Sequence, residues 1–308
     1  MMKSFKSYVI ISCLNLLVLL AYPVKAMTDL SLEDSAKSTL HNPKLNRYII
    51  GAGAAYAAGI VALNQIWYKD HERESFHFFN DTKEWKQMDK LGHFYSTYQI
   101  SQLGTNALLS ANVDKDKAYK WGGMIGFFAL LPIEVMDGYS SEYGASWGDL
   151  IANFTGSAFL TGQYVLWDEV KVHAKYSFHP DPIAKHRPEL LGHGLHEQMI
   201  KNYNGMTYWL SFDLYGIGHK GNRIPKWLNL AIGYSAKEMI SSNDGASRIM
   251  GYDPYRQYFI GLDIDLTYIP TESRFLKTLL YFVNMIRLPS PALEYNRKDG
   301  LVFHPIYF

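Results

Sequence analysis

Ile260-Gly261-Leu262-Asp263-Ile264-Asp265-Leu266-Thr267-Tyr268 alternates apolar residues with polar or small ones without a break. A helix would scatter these apolar side chains around its axis, whereas a strand collects every second residue on one face. The stretch therefore predicts an antiparallel strand with one apolar and one polar face. Tyr208 to Tyr215 and Trp227 to Ala236 show the same habit, and Leu301 to Phe308 ends the chain as a strand with a terminal aromatic residue. Residues 272–287 return to helical spacing. Alternation with a terminal Phe is also the habit of outer-membrane strands, but a closed membrane barrel needs roughly eight strands or more. Four or five are legible, so residues 206–308 predict a small antiparallel sheet with one extra helix, packed on what precedes it.

Upstream the pattern changes twice. Residues 171–205 contain Phe178-His179-Pro180-Asp181-Pro182 and His186-Arg187-Pro188, which read as a proline-punctuated connector. Residues 47–170 predict about four short apolar helices, giving an α+β protein in which a helical, membrane-associated unit comes first. Tyr48 to Leu63 is uncharged, and Gly51, Ala55 and Gly59 give it one smooth face; it fits either a tilted membrane helix or a fully buried one. Asp81 with Glu84 fits a capping box for a second helix running to about Ser110. A third is expected from about Lys117 to Met136, with Gly122 and Gly126 as a close-packing pair and a kink at Pro132. Ser146, followed by Asp149 at the third position, caps the fourth.

The first 26 residues have the layout of a secretory signal: Lys3 and Lys6, an apolar run from Tyr8 to Tyr22, then Val24-Lys25-Ala26. The apolar run continues past Cys13, whereas such a run normally ends before its cleavage site, so cleavage after Ala26 is expected ahead of lipidation at Cys13. Residues 27–46 are polar and read as a linker. Cys13 is the sole cysteine, which excludes disulfides and thiolate metal sites from the mature chain. Lys3, Lys6 and Lys25 leave with the signal and no acid does, so 27 of 30 basic residues remain against 29 acidic ones. That balance gives no support for nucleic-acid binding. Aromatic residues make up 15% and gather near the ends of apolar segments, as they do at membrane interfaces. The expected partners are membrane lipid or another envelope protein, and the outer membrane is favoured over the inner.

Ionisable residues recur at helical spacing inside the apolar helices. Asp89 and His93 are four apart on the second helix, Glu134 and Asp137 three apart on the third, and Asp149 and Asn153 four apart on the fourth. Burying such groups costs several kcal/mol unless they pair, coordinate or neutralise, so convergence on one polar pocket is expected, with Lys90 and Glu142 at its rim. Each residue also has an ordinary explanation: Asp149 as a capping acid, Glu134 and Asp137 as the wet end of a helix, His93 as a core histidine, Asn153 as a bridge between helices. His77, Asn80 and Asp81 read as a turn and cap. His179, His186, His193 and His196 lack the spacing of a metal site. No phosphate loop, nucleophile elbow or dinucleotide fingerprint is present, and no cofactor or metal is identified.

Asp89-Lys90-Leu91-Gly92-His93-Phe94, then Glu134, then Ser146-Trp147-Gly148-Asp149-Leu150-Ile151-Ala152-Asn153 and Gly156, resembles the YfiM-like predicted periplasmic lipoproteins, domain of unknown function 2279. Longer members look similar over nearly the whole mature chain, including Phe76 to Gly92, Tyr203-Asn204-Gly205, Thr207 to Ser211 and Pro289 to Glu294. The same order of motifs is similar to that of the VanZ-like membrane proteins. The resemblance implies an envelope location and a site at these motifs, and no reaction. Two kinds of function follow. One is a non-catalytic structural or partner- or lipid-binding role. The other is a membrane-associated enzyme acting on a lipid or lipid-linked cell-wall precursor through Asp89, His93, Glu134, Asp137, Asp149 and Asn153 as acid–base groups or metal ligands. A transporter would have too few spans for a pathway.

Overall fold

The computed structural model describes residues 42–69, 72–218 and 223–308. The expected signal segment, Cys13 and nearly all of the 27–46 linker lie outside them. The described residues divide into two compact units: those from 42 to 72 together with 106–118, and those from 73 to 105 together with 119–308.

In the first unit helix α1 (Pro43–Leu63) is capped by Asn42, whose Oδ1 accepts from the backbone of Lys44 and Leu45, each at 3.1 Å, and it has Pro43 in its first turn. Only Leu45 and Ile60 are buried along it, so the expected fully buried helix is not found. Gly51 and Gly59 meet nothing within 4 Å, so their smooth face is not a packing face among the described residues. No helix among the described residues is long and apolar enough to cross a membrane.

In the second unit α2 (Met88–Ser110, whose last turn belongs to the first unit) and α4 (Trp147–Trp167) lie against a sheet, and α3 (Gly123–Gly138) packs on α2 and α4. The capping box expected at Asp81 is not what starts α2. Trp85, Lys86 and Gln87 take left-handed backbone angles, and the helix begins only at Met88. Asp81 is committed elsewhere, to Lys90 and Ser146. The third helical run starts at Lys115, close to the expected Lys117, with Asp114 as its cap, and passes through a wider π-type turn over Ala118–Gly122 before α3 itself begins at Gly123. The close packing expected at Gly122 and Gly126 is present: a Cβ on Gly126 would stand 2.0 Å from the Thr97 carbonyl oxygen, and one on Gly122 2.5 Å from Thr105 Cα. Gly156 does the same for α4, where a Cβ would stand 2.3 Å from the Phe94 carbonyl oxygen. These three glycines let α3 and α4 approach the backbone of α2.

The sheet has six antiparallel strands in simple sequence order rather than the four or five legible in the sequence: β1 (Val172–Phe178), β2 (Met206–Asp213), β3 (Leu228–Lys237), β4 (Tyr255–Ile264), β5 (Ser290–Asn296) and β6 (Gly300–Tyr307). The unanticipated β1 falls inside the segment read as a connector, where Val172-His173-Ala174-Lys175 puts a lysine among residues that otherwise alternate. The Ile260–Tyr268 strand stops at Ile264, because the Asp265 carboxylate accepts from Thr267 backbone and hydroxyl and folds the chain into a 3-10 turn. Helix α5 (Arg274–Val283) links β4 to β5, as the spacing over 272–287 predicts.

Side chains of α2 and α4 seat the helices on β1. Tyr98 Oη donates to the Val172 carbonyl at 3.1 Å, Gln99 Nε2 to the Ala174 carbonyl at 2.6 Å, and Gln163 both donates to and accepts from Val172. Tyr98, Leu160, Tyr164 and Ala174 form the apolar layer between them. The far edge of β1 is met by the segment after α5: Tyr176 N donates to the Met285 carbonyl at 3.1 Å and Arg287 N to the Tyr176 carbonyl at 2.9 Å. The sheet curls enough for Thr207 of β2 and Tyr307 of β6 to bond through their hydroxyls at 3.0 Å. Trp209, Ala231, Phe259, Ala292 and Tyr307 fill the concave side, with the Arg287 guanidinium 4.0 Å from the Trp209 ring centroid.

The concave side is otherwise polar. Lys175 Nζ lies 2.7 Å from Asp263, both side chains fully buried, and Ser211, Asn229 and Asn284 complete a hydrogen-bonded chain around them. Glu294 accepts from Gln257, Asn296 and His304. The alternating strands therefore turn their polar face inward.

Candidate functional site

Lys90, the third residue of α2, is held by three carboxylates: Asp81 at 2.6 Å, Asp149 at 2.8 Å and Asp89 at 3.1 Å. One turn further along α2, His93 continues the cluster. Its Nδ1 lies 3.0 Å from Asn153 Oδ1 and 3.6 Å from Glu134; its Nε2 lies 3.7 Å from Asp149 and 3.8 Å from Asp89. Asn153 Nδ2 donates to Glu134 at 3.2 Å, and Tyr203 Oη donates to Asp89 at 2.6 Å. Three helices, the loop before α2 and the turn before β2 thus meet at one buried set of charges.

Ser146 shows why Asp149 is more than a cap. The Ser146 Oγ accepts from the Asp149 backbone N–H at 3.2 Å, as an N-cap should. The return bond of a capping box, onto the Ser146 N–H, comes from Glu134 at 3.4 Å and not from Asp149. The Asp149 carboxylate is thereby left to face Lys90 and His93. Its Oδ1, although 2.8 Å from Lys90 Nζ, is buried without a well-aligned hydrogen bond.

The six expected residues do not all come together. Asp89, His93, Glu134, Asp149 and Asn153 do, and Lys90 is central rather than at the rim. Asp137 does not join them: its charge lies beside the Tyr143 hydroxyl at the loop after α3. Glu142 is exposed in that loop and also faces Tyr143. Asp81, read as a cap, is a member through Lys90 and Ser146, and Tyr203, noted in the sequence only within the Tyr203-Asn204-Gly205 likeness and not as a site residue, is a member through Asp89. His77 bonds the Tyr143 carbonyl at 3.0 Å, and Asn80 closes a turn onto Thr82, as a turn and cap should. His179 is paired with Lys237 at 3.0 Å, and burial together with that ammonium lowers it to about 4.

Burial alone would lower His93, but Asp89, Asp149 and Glu134 outweigh it and raise the imidazole to about 9. Burial pushes Glu134 up, and burial with the neighbouring Asp89 charge pushes Asp149 up. Asp89 moves the other way: against the burial that would raise it, His93, Lys90 and the Tyr203 hydroxyl hold it below the ordinary range. The cluster is thus an imidazolium and an ammonium shared among four acids, one of which, Asp149, favours keeping its proton.

A group whose pKa rises on folding stabilises fully below its unfolded value and loses that contribution as pH climbs through the folded value. For His93 the window runs from 6.5 to about 9, worth about 3 kcal/mol. Asp149, raised as well, acts in the same direction. Urea unfolding between pH 6 and pH 9.5 is expected to show stability falling by more than that amount, and His93→Gln to remove about 3 kcal/mol of the fall. An equal slope in the variant would show that His93 is not the titrating group.

Asp89, His93 and Asp149 could also hold a metal ion, since one ligand atom from each lies within 4.8 Å of the others. Two carboxylates and an imidazole suit a divalent ion. The Lys90 ammonium stands against both carboxylates, so an ion would have to compete with it. The aromatic surroundings are exposed: Phe78 and Trp147 stack in parallel at 5.1 Å, with Phe76, Phe79 and Tyr139 nearby in the same loops.

The molecule is therefore an α+β protein whose helical part is centred on a buried ion cluster. A family model described as "Predicted periplasmic lipoprotein (DUF2279)" matches residues 76–164, which contain every member of the cluster except Tyr203. That description agrees with the export reading; it names no reaction and does not separate inner from outer membrane. The VanZ-like likeness receives no support from the match. No curated protein and no solved structure matches the chain.

Proposed function

We propose that this is an exported cell-envelope protein with a non-catalytic binding role, in which the Asp/His/Lys cluster fixes the helices on one another and on the turn before β2. The observation that carries this reading is the closure of the cluster. Lys90 is caged by three carboxylates, both His93 nitrogens face cluster members, and Tyr203 ties Asp89 to the chain leading into β2. A general acid or base must reach a substrate proton, and here the partners are each other. The match over residues 76–164 to predicted periplasmic lipoproteins supports the envelope location.

A second reading is favoured by one feature, the Asp149 Oδ1 left without an aligned bond beside His93 Nε2. In that reading Asp89, His93 and Asp149 bind a divalent ion, and the site acts on a lipid or lipid-linked wall precursor. Native mass spectrometry of the purified protein and of Asp149→Asn, with melting curves with and without EDTA and added Zn²⁺ or Mn²⁺, separates the two. The structural reading expects no stoichiometric metal and a melting temperature indifferent to chelator. A metal retained by the wild type and lost from Asp149→Asn would replace it with the second.

A further inference from the structure

The curled sheet buries polar side chains and exposes apolar ones. On the convex side of β3 to β6, paired residues form four levels: Leu228 with Ile264; Leu230 with Leu262; Ile232, Ile260, Leu293 and Phe303; then Tyr234, Tyr258, Tyr295 and Leu301. None of these side chains is charged, and Ile232, Ile260, Leu262, Tyr258, Tyr295 and Phe303 are between 44% and 65% exposed. The concave side holds Lys175, Asp263, Glu294 and Arg287. A soluble sheet with one wet face does the reverse, whereas strands that meet lipid alternate apolar-out and polar-in.

Both borders of this apolar band carry features of a membrane interface. Beyond the tyrosine level the next outward pair is Ala236 with Arg256. The Arg256 guanidinium donates to Tyr234 Oη at 2.9 Å and Gln87 Oε1 at 2.7 Å, and no carboxylate pairs with it among the described residues. It opens on a recess of about 430 Å³ lined also by Lys86, Arg248, Arg297, Tyr258 and Tyr295. Lys86 and Arg248 share Asp244, and Arg248 and Arg297 share Asp253, so four cations face two acids here, and Arg256 is the cation that no carboxylate meets among the described residues. At the opposite end of β4, α5 buries none of its residues and exposes Phe275, Leu279 and Phe282 beside Arg274 and Lys277. An exposed amphipathic helix of this kind lies in the plane of an interface.

We infer that the convex face of β3 to β6 sits in the acyl layer of a membrane, with α5 along its surface and the Arg256 recess on a lipid phosphate. The sequence of apolar wall, tyrosines and arginine follows the order of acyl chains, interface and headgroup phosphate. A second copy of the chain would cover the wall but would not call for a surplus cation at one border. From Leu228 to Tyr234 the band measures about 20 Å along the strand. Tilted, that is about the depth of one leaflet of a hydrocarbon core roughly 30 Å thick, so the sheet dips into one side of the bilayer.

The test uses the full chain in a Cys13→Ser background, with single cysteines at Ile260, Phe303 or, as the exposed polar control, Lys298, each spin-labelled. In phosphatidylethanolamine/phosphatidylglycerol vesicles, labels at Ile260→Cys and Phe303→Cys are expected to become accessible to oxygen and shielded from a water-soluble nickel complex. The Lys298→Cys label should remain open to nickel. Face labels as nickel-accessible as the control would overturn the inference. So would spin–spin broadening without vesicles, which would place a second copy on the face. Arg256→Gln is expected to reduce partitioning onto phosphatidylglycerol vesicles about fivefold relative to phosphatidylcholine. The wild type's own preference between the two lipids reads the same contact without a substitution, and equal binding to both would remove Arg256 from the account.

Discussion

Lys90→Met is expected to lower the melting temperature by about 10 °C or to prevent folding. The methionine fills much of the same volume, so the loss is almost wholly electrostatic. Asp81, Asp89 and Asp149, all within 3.1 Å of the ammonium, would be left facing one another with His93 as the remaining cation. Removing one partner of a buried ion pair typically costs about 3–5 kcal/mol, because the surviving charge keeps its desolvation penalty. In a unit of this size each kcal/mol is worth roughly 2–4 °C. Adding Asp149→Asn should restore part of the loss, since the amide needs no counter-charge, and the two substitutions should therefore be non-additive. Thermal denaturation of the two single variants and the double variant measures this. A Lys90→Met protein that melts with the wild type would mean that the cluster is not what fixes the helices, and the proposed structural role would fall with it.

Lys175→Met should be comparably damaging on the concave side of the sheet. Lys175 and Asp263 are both fully buried and 2.7 Å apart, and Lys175 also donates to the Ile264 carbonyl at 2.9 Å and to Asn284 at 3.0 Å. Asp263 already has one oxygen without a hydrogen bond, so the loss of Lys175 would leave a carboxylate held only by Ser211. A cost of about 3–5 kcal/mol follows on the same argument. The paired replacement Lys175→Met with Asp263→Leu removes both charges and is expected to recover most of the stability, as buried pairs exchanged together for apolar residues often do. Chemical denaturation of the three variants decides it. A small effect of Lys175→Met alone would mean that water reaches the concave side.

Much of the helical site is legible in the amino-acid sequence. Asp89 and His93 share a helix face by periodicity alone, and an uncharged helix carrying Glu134 or Asn153 must satisfy them somewhere. Asp137 falls outside the cluster because spacing along one helix does not say which neighbour each turn meets. Asp149 is ambiguous in sequence because a capping acid and a cluster acid occupy the same position after Ser146. Only the Glu134 bond to the Ser146 N–H shows that the capping duty is taken elsewhere. Tyr203 reaches Asp89 across 114 residues, and no local pattern could announce that.

The strands divide in the same way. Alternation from Ile260 to Ile264 settles that this segment is extended and two-faced, because a period of two is a property of the backbone itself. It does not settle which face is buried, since either side of such a strand can be turned to a core. Nor could it reveal β1, whose Lys175 reads as a surface residue until Asp263, Asn284 and the Ile264 carbonyl surround it. The inward turn of the polar face depends on curling that brings β2 to β6 and the 285–287 segment to β1, contacts between residues about a hundred apart in sequence. Local chemistry therefore dictates the elements and their two faces. The direction in which the sheet closes, and with it the exposure of an apolar wall, is a sum over distant pairings that exists only in the folded chain.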